Sequence, residues 1–136
     1  MTTDTGAKKR ILVVEDDPDL VLFLETLLQD NGYATLSATD GKEGFEKFEA
    51  ERPDLVTLDI SMPEQSGIRF YRNVKENPDY ASTPVVAVTG ITGHTGDPED
   101  FRKFLSTRKK VPAPDAFFPK PVDKEAFLAK LAELLA

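Results

Sequence analysis

Apolar positions along the chain follow two alternating rhythms. Residues 11–14 form an unbroken apolar run, the pattern of a strand buried on both faces. Further short strands are expected over residues 33–38, 55–60, 84–88 and 116–118. Between them the spacing lengthens to that of helices. Leu20, Phe23, Leu24, Leu27 and Leu28 make one stripe, Phe45 and Phe48 a second, and Ile68, Phe70, Tyr71 and Val74 a third. Phe101, Phe104 and Leu105 mark a fourth helix over 97–110, and Phe127, Leu128, Leu131, Leu134 and Leu135 a fifth.

Punctuation agrees with the rhythm. Asp17 stands as a cap before Pro18, which suits a first helical position, and Asn31 with Gly32 stops that helix. Asp40 with Glu43 reads as a capping box, and Asp123 caps the last helix with Val122 and Phe127 placed as a hydrophobic staple. Five strands alternating with five helices predict an α/β domain, a parallel sheet covered on both faces. Residues 1–9 read as a disordered lead-in and 10–136 as one domain.

Composition narrows the functions. The chain has 136 residues and no cysteine, so it offers no disulfide, thiolate metal site or catalytic thiol, which suits a cytoplasmic protein. No segment approaches the ~20 apolar residues of a membrane span. A formal charge of −7 argues against binding nucleic acid. Arg108, Lys109 and Lys110 match the last turn of the fourth predicted helix, where cations meet the negative end of its dipole.

Open parallel sheets gather their chemistry at the carboxyl ends of the strands. Here those ends carry Glu15 and Asp16, then Asp59, then Thr89, then Lys120. Carboxylates brought together at one edge repel, and a divalent cation with oxygen ligands removes the repulsion. Mg²⁺ fits, because it takes one or two carboxylates and keeps waters that a phosphoryl oxygen can replace; Mn²⁺ is the alternative ion, and no organic cofactor is expected. With a lysine and a hydroxyl added, this is the set that stabilises a transferring phosphoryl group.

Four fragments, "ILVVEDDP", "PDLVTLDISMPEQSG", "VVAVTG" and "FFPKP", stand in order at the ends of the predicted strands. In these the chain resembles the receiver domain of bacterial two-component response regulators, over residues 11–136. The resemblance implies a flavodoxin-like (βα)5 three-layer sandwich with strand order 2-1-3-4-5. It implies a signalling switch rather than an enzyme, with Asp59 as phosphoacceptor for a sensor histidine kinase or histidine phosphotransfer protein. Asp16, Asp59 and the Ser61 backbone carbonyl would ligate Mg²⁺, with Glu15 acting through water. Thr89 and Lys120 would hold the phosphoryl group, Phe117 would be the switching aromatic, and the bond before Pro121 would be cis. The fourth helix, fifth strand and fifth helix would present the changed face to a downstream protein.

The chain also departs from the family. Phe117 lacks the hydroxyl of the tyrosine common there, and Ile91 is apolar where many relatives are polar. The span from Thr89 to Lys120, about thirty positions, is longer than the family usually needs. The surplus falls in the threonine- and glycine-rich loop after Thr89, which includes His94, and around residues 111–114. Three rivals share parts of the pattern. A flavodoxin-like FMN protein would carry its T-G-x-T loop after the first strand, whereas Thr92, Gly93, His94 and Thr95 follow the fourth. A haloacid dehalogenase-type phosphatase would want an acid where Ser61 stands. An unphosphorylated docking module would have lost the acceptor, an acid or the lysine, and none is lost.

Overall fold

The computed structural model describes residues 8–60, 66–89 and 114–136. Strands β1 (Arg10–Val14), β2 (Ala34–Ala38), β3 (Leu55–Asp59), β4 (Val85–Thr89) and β5 (Ala116–Pro119) form one parallel sheet in the order β2-β1-β3-β4-β5. Helices α1 (Pro18–Asp30), α2 (Gly41–Glu51) and α3 (Ser66–Lys75) and a C-terminal helix (Lys124–Leu135) cover it. The predicted helix over 97–110, with Ile91 and His94, lies outside the described residues.

The two faces of the sheet follow from strand alternation. Leu12, Val14, Val56, Leu58, Val85 and Ala87 point one way and pack with Phe48 of α2 and Phe70, Tyr71 and Val74 of α3. Ile11, Val13, Leu55, Val86 and Val88 point the other way and meet Leu24 and Leu28 of α1 and Phe127 and Leu131 of the C-terminal helix. Both faces are thus sealed, which is why the strands read as apolar runs.

The helix starts are set by their caps. Asp17 accepts from the Asp19 amide at 3.0 Å, Asp40 from Glu43 at 2.7 Å and Asp123 from Ala126 at 3.2 Å. The capping box of α2 is displaced by one residue: Glu43 accepts the Thr39 amide at 2.8 Å, rather than that of Asp40. Gly32, with φ of 92°, supplies the left-handed turn after α1. One side chain differs from the sequence reading, and a second is buried with no sign of it in the sequence. Phe23, read as part of the buried stripe, is 38% exposed, because Leu20, Leu24 and Leu28 with Val21 and Leu27 already fill that face. Lys75 is buried because its ammonium donates to the carbonyls of Ala81 at 3.0 Å and Thr83 at 2.7 Å, closing the turn from α3 into β4.

Candidate functional site

Register brings the acids together. β1 and β3 pair with Val14 opposite Leu58, so the next residues, Glu15 and Asp59, emerge side by side. Both follow the alternation of Ile11 and Val13, and of Leu55 and Thr57, toward α1 and the C-terminal helix. Pairing continues one step past β1, where the Glu15 amide donates to Ala38 at 3.0 Å. At the other edge Asp59 pairs with Val88 and Val88 with Phe118, so Lys120 starts two residues beyond the level of Asp59 and reaches it through its long side chain. The Lys120–Pro121 peptide is cis.

The resulting cluster is compact. Glu15 and Asp59 are 1% and 3% exposed, and Asp16 is exposed beside them. One carboxylate oxygen from each of the three lies within 4.8 Å of the others. Lys120 Nζ stands 3.3 Å from Asp59 Oδ2 and 3.4 Å from Glu15. A groove of about 390 Å³, lined in part by Glu15 and Asp16, opens between α1 and the end of β2.

Electrostatics sharpen the picture. Burial raises the Glu15 pKa first, and the Asp59 charge and hydrogen bonding with Asp59 raise it further. Lys120 and the Asp17 amide offset this only in part, so Glu15 is pushed up to about 8. Burial alone would lower Lys120, but Asp59 and then Glu15 more than offset it and hold its pKa above the ordinary lysine value. The site therefore holds a fixed cation beside two buried carboxyls that resist a second full negative charge.

The donor set fits a hard divalent cation. Glu15 Oε1 is buried without a hydrogen bond of good geometry, although Lys120 Nζ lies 3.4 Å away. An oxygen in that position needs either a proton shared with its neighbour or a cation. Three carboxylates and no nitrogen or sulfur donor is the chemistry of Mg²⁺ or Mn²⁺.

The remaining expected residues divide. Phe117 lies on the opposite face of the sheet from Lys120 and packs, half-buried, against the core of α2 and α3. Thr89 closes β4 level with Pro119, and only its backbone is described. Ser61 lies outside the described residues. Gly67, the last residue of the "PDLVTLDISMPEQSG" fragment, is buried at the start of α3.

Comparison with known proteins gives a consistent answer. The family model described as "Response regulator receiver domain" matches residues 11–132. Protein Rrf1 of Nitratidesulfovibrio vulgaris is 42% identical over 62% of this chain and 61% of its own. Protein PilH of Pseudomonas aeruginosa is 32% identical over 93% of this chain and 98% of its own. The matches to two longer relatives span only 17% and 48% of those chains. The solved signal receiver domain of a signal transduction histidine kinase from Syntrophus aciditrophicus superposes with a TM-score of 0.76 at 30% identity, covering 93% of this chain and 89% of that one. Among the described residues, no helix is long and apolar enough to cross a membrane.

Proposed function

This chain belongs to the response regulator receiver domain family, and from that premise we propose that it is a phosphorylation-dependent switch in which Asp59 is the phosphoacceptor. The observation that carries the reading is the meeting of Glu15, Asp16 and Asp59 with the Lys120 ammonium at one edge of the sheet. Asp59 is buried on a strand end, with the Lys120 ammonium in contact with both it and Glu15.

In the reaction a carboxylate oxygen of Asp59 attacks the phosphorus of a phosphohistidine on a sensor kinase or phosphotransfer protein. The new P–O bond forms as the P–N bond breaks, and the imidazole leaves with that electron pair. The product is an acyl phosphate, formed with the domain's own side chains assisting. Asp16, Asp59 and the Ser61 carbonyl would hold Mg²⁺ directly and Glu15 through water. Bound there, the ion would supply positive charge to the phosphoryl oxygens and relieve the repulsion among the acids. Lys120 holds its charge beside both Asp59 and Glu15, close to where the phosphoryl group would add negative charge. The Thr89 hydroxyl is assigned to the phosphoryl oxygens, and Phe117 to the rotamer change that follows. The readout is a downstream protein contact through residues 97–110, β5 and the C-terminal helix, in the cytoplasm.

Dependence on metal tests this reading. With acetyl phosphate as donor, the protein is expected to acquire a phosphoryl group in Mg²⁺ or Mn²⁺ and none in excess EDTA. An adduct forming at the same rate in EDTA overturns it.

A further inference from the structure

We propose that Gly67 is a positioning residue for Asp59: the absence of a side chain there lets α3 seat on the peptide that holds the acceptor in place. The inference rests on the Asp59 reading above and names a second residue on which that site depends.

Gly67 is the second residue of α3 and is buried. Glycine is a poor helix former, so helix propensity alone favours alanine at this position. Tertiary contact explains the choice. A Cβ built on Gly67 would fall inside the contact distance of the Asp59 carbonyl oxygen, 3.3 Å from the Asp59 carbonyl carbon and 3.1 Å from Ile60 Cα. All three atoms belong to a single peptide unit, the one joining Asp59 to Ile60. None is a side-chain atom that can swing aside.

The opposite side of that peptide is held weakly. The Ile60 amide donates to Val88 over a long 3.4 Å, at the point where β3 leaves the sheet. The α3 backbone is therefore the tight wall of the seat, and the strand ladder is the loose one. A methyl group at position 67 has to push the Asp59–Ile60 peptide toward β4 or lift the first turn of α3. Either movement shifts the Asp59 carboxylate relative to Lys120 Nζ, now 3.3 Å away, and relative to Glu15 and Asp16.

Gly44 of α2 provides the contrast. A Cβ there would meet Val14 Cγ2 at 3.0 Å and Phe70 Cδ1 at 3.3 Å, which are side-chain atoms. It too sits under a strand that leads into the acid cluster, but it touches no backbone of an acidic residue. Substitution at Gly44 strains packing between α2, β1 and α3, and the Asp59 peptide is left alone.

The test compares Gly67→Ala and Gly44→Ala with the wild-type full chain. Three quantities are read: the thermal midpoint, the Mg²⁺ dissociation constant by titration, and the rate of adduct formation with acetyl phosphate. Gly67→Ala is expected to form adduct about 10²-fold more slowly, the scale of a misplaced reacting group, and to bind Mg²⁺ more weakly. Gly44→Ala is expected to melt lower while staying near the wild-type rate and affinity. If Gly67→Ala melts lower but matches the wild type in rate and affinity, the positioning role is wrong. Should Gly67→Ala alone not fold, the comparison is repeated within Glu15→Gln, which removes the buried carboxylate repulsion. A slower rate than Glu15→Gln alone supports the proposal, and an equal rate, or failure to fold in that background too, overturns it. Absence of any adduct on the wild type contradicts the Asp59 reading instead, and the Mg²⁺ affinities then decide the role of Gly67.

Discussion

Lys120→Ala is expected to slow adduct formation at Asp59 by about 10²-fold or more at fixed Mg²⁺ and acetyl phosphate. The ammonium stands 3.3 Å from Asp59 Oδ2 and 3.4 Å from Glu15, three-quarters withdrawn from solvent. The phosphoryl group brings further negative charge into a site that already strains to hold two carboxyls. Removing one fixed, preorganised donor from a developing anion typically costs about 10²–10³ in rate. Lys120→Arg is expected to recover only part of the loss, because a planar guanidinium does not occupy the place of a compact ammonium. The check is a time course of adduct by intact mass for the three proteins. Equal rates for Lys120→Ala and wild type would show that the lysine is merely a partner for the acids.

The second large effect is on stability, through Glu15. Its carboxyl titrates near 4.5 when unperturbed and is pushed up to about 8 in the fold, first by burial and then by Asp59. Between those values the folded protein keeps a proton that the unfolded chain has released. The contribution is thus fully present below the unfolded pKa and is lost as pH rises through the folded one. Metal-free protein is expected to lose up to about 1.4 kcal/mol per pH unit from this group across that window. Glu15→Gln removes that slope, so the difference between the two proteins isolates this position. Mg²⁺ is expected to stabilise the wild type more at the alkaline end, where a cation takes over from the proton. Urea unfolding at several pH values, with and without EDTA, measures both. Parallel slopes for wild type and Glu15→Gln would contradict the burial of an unsatisfied Glu15.

Much of this was legible in the sequence, for identifiable reasons. Buried parallel strands announce themselves as apolar runs, and Asp17, Asp40 and Asp123 announce helix starts through their short polar side chains. Once the strands were placed, the carboxyl-end rule collected Glu15, Asp16, Asp59 and Lys120; register then set Glu15 beside Asp59, and the Lys120 side chain reaches both. Strand ends were legible only to within a residue, as at Tyr33, Ile60 and Pro84, which lie just outside their strands.

What the sequence hid is what depends on tertiary neighbours. Phe23 fits a helical stripe, yet α1 has more apolar residues than its buried face can hold. Lys75 drew no reading from the sequence, and the carbonyls of Ala81 and Thr83 make its burial tolerable. The raised Glu15 pKa and the seat that Gly67 provides for Asp59 arise between elements distant in sequence. Gly67 closes the "PDLVTLDISMPEQSG" fragment that carries the family resemblance, but that spacing said nothing of what the glycine touches.

The most direct test of the account is the intact mass of the protein after incubation with acetyl phosphate and Mg²⁺, beside Asp59→Ala. Wild type is expected to gain the mass of one phosphoryl group and Asp59→Ala none; no gain on the wild type, or an equal gain on Asp59→Ala, contradicts the account.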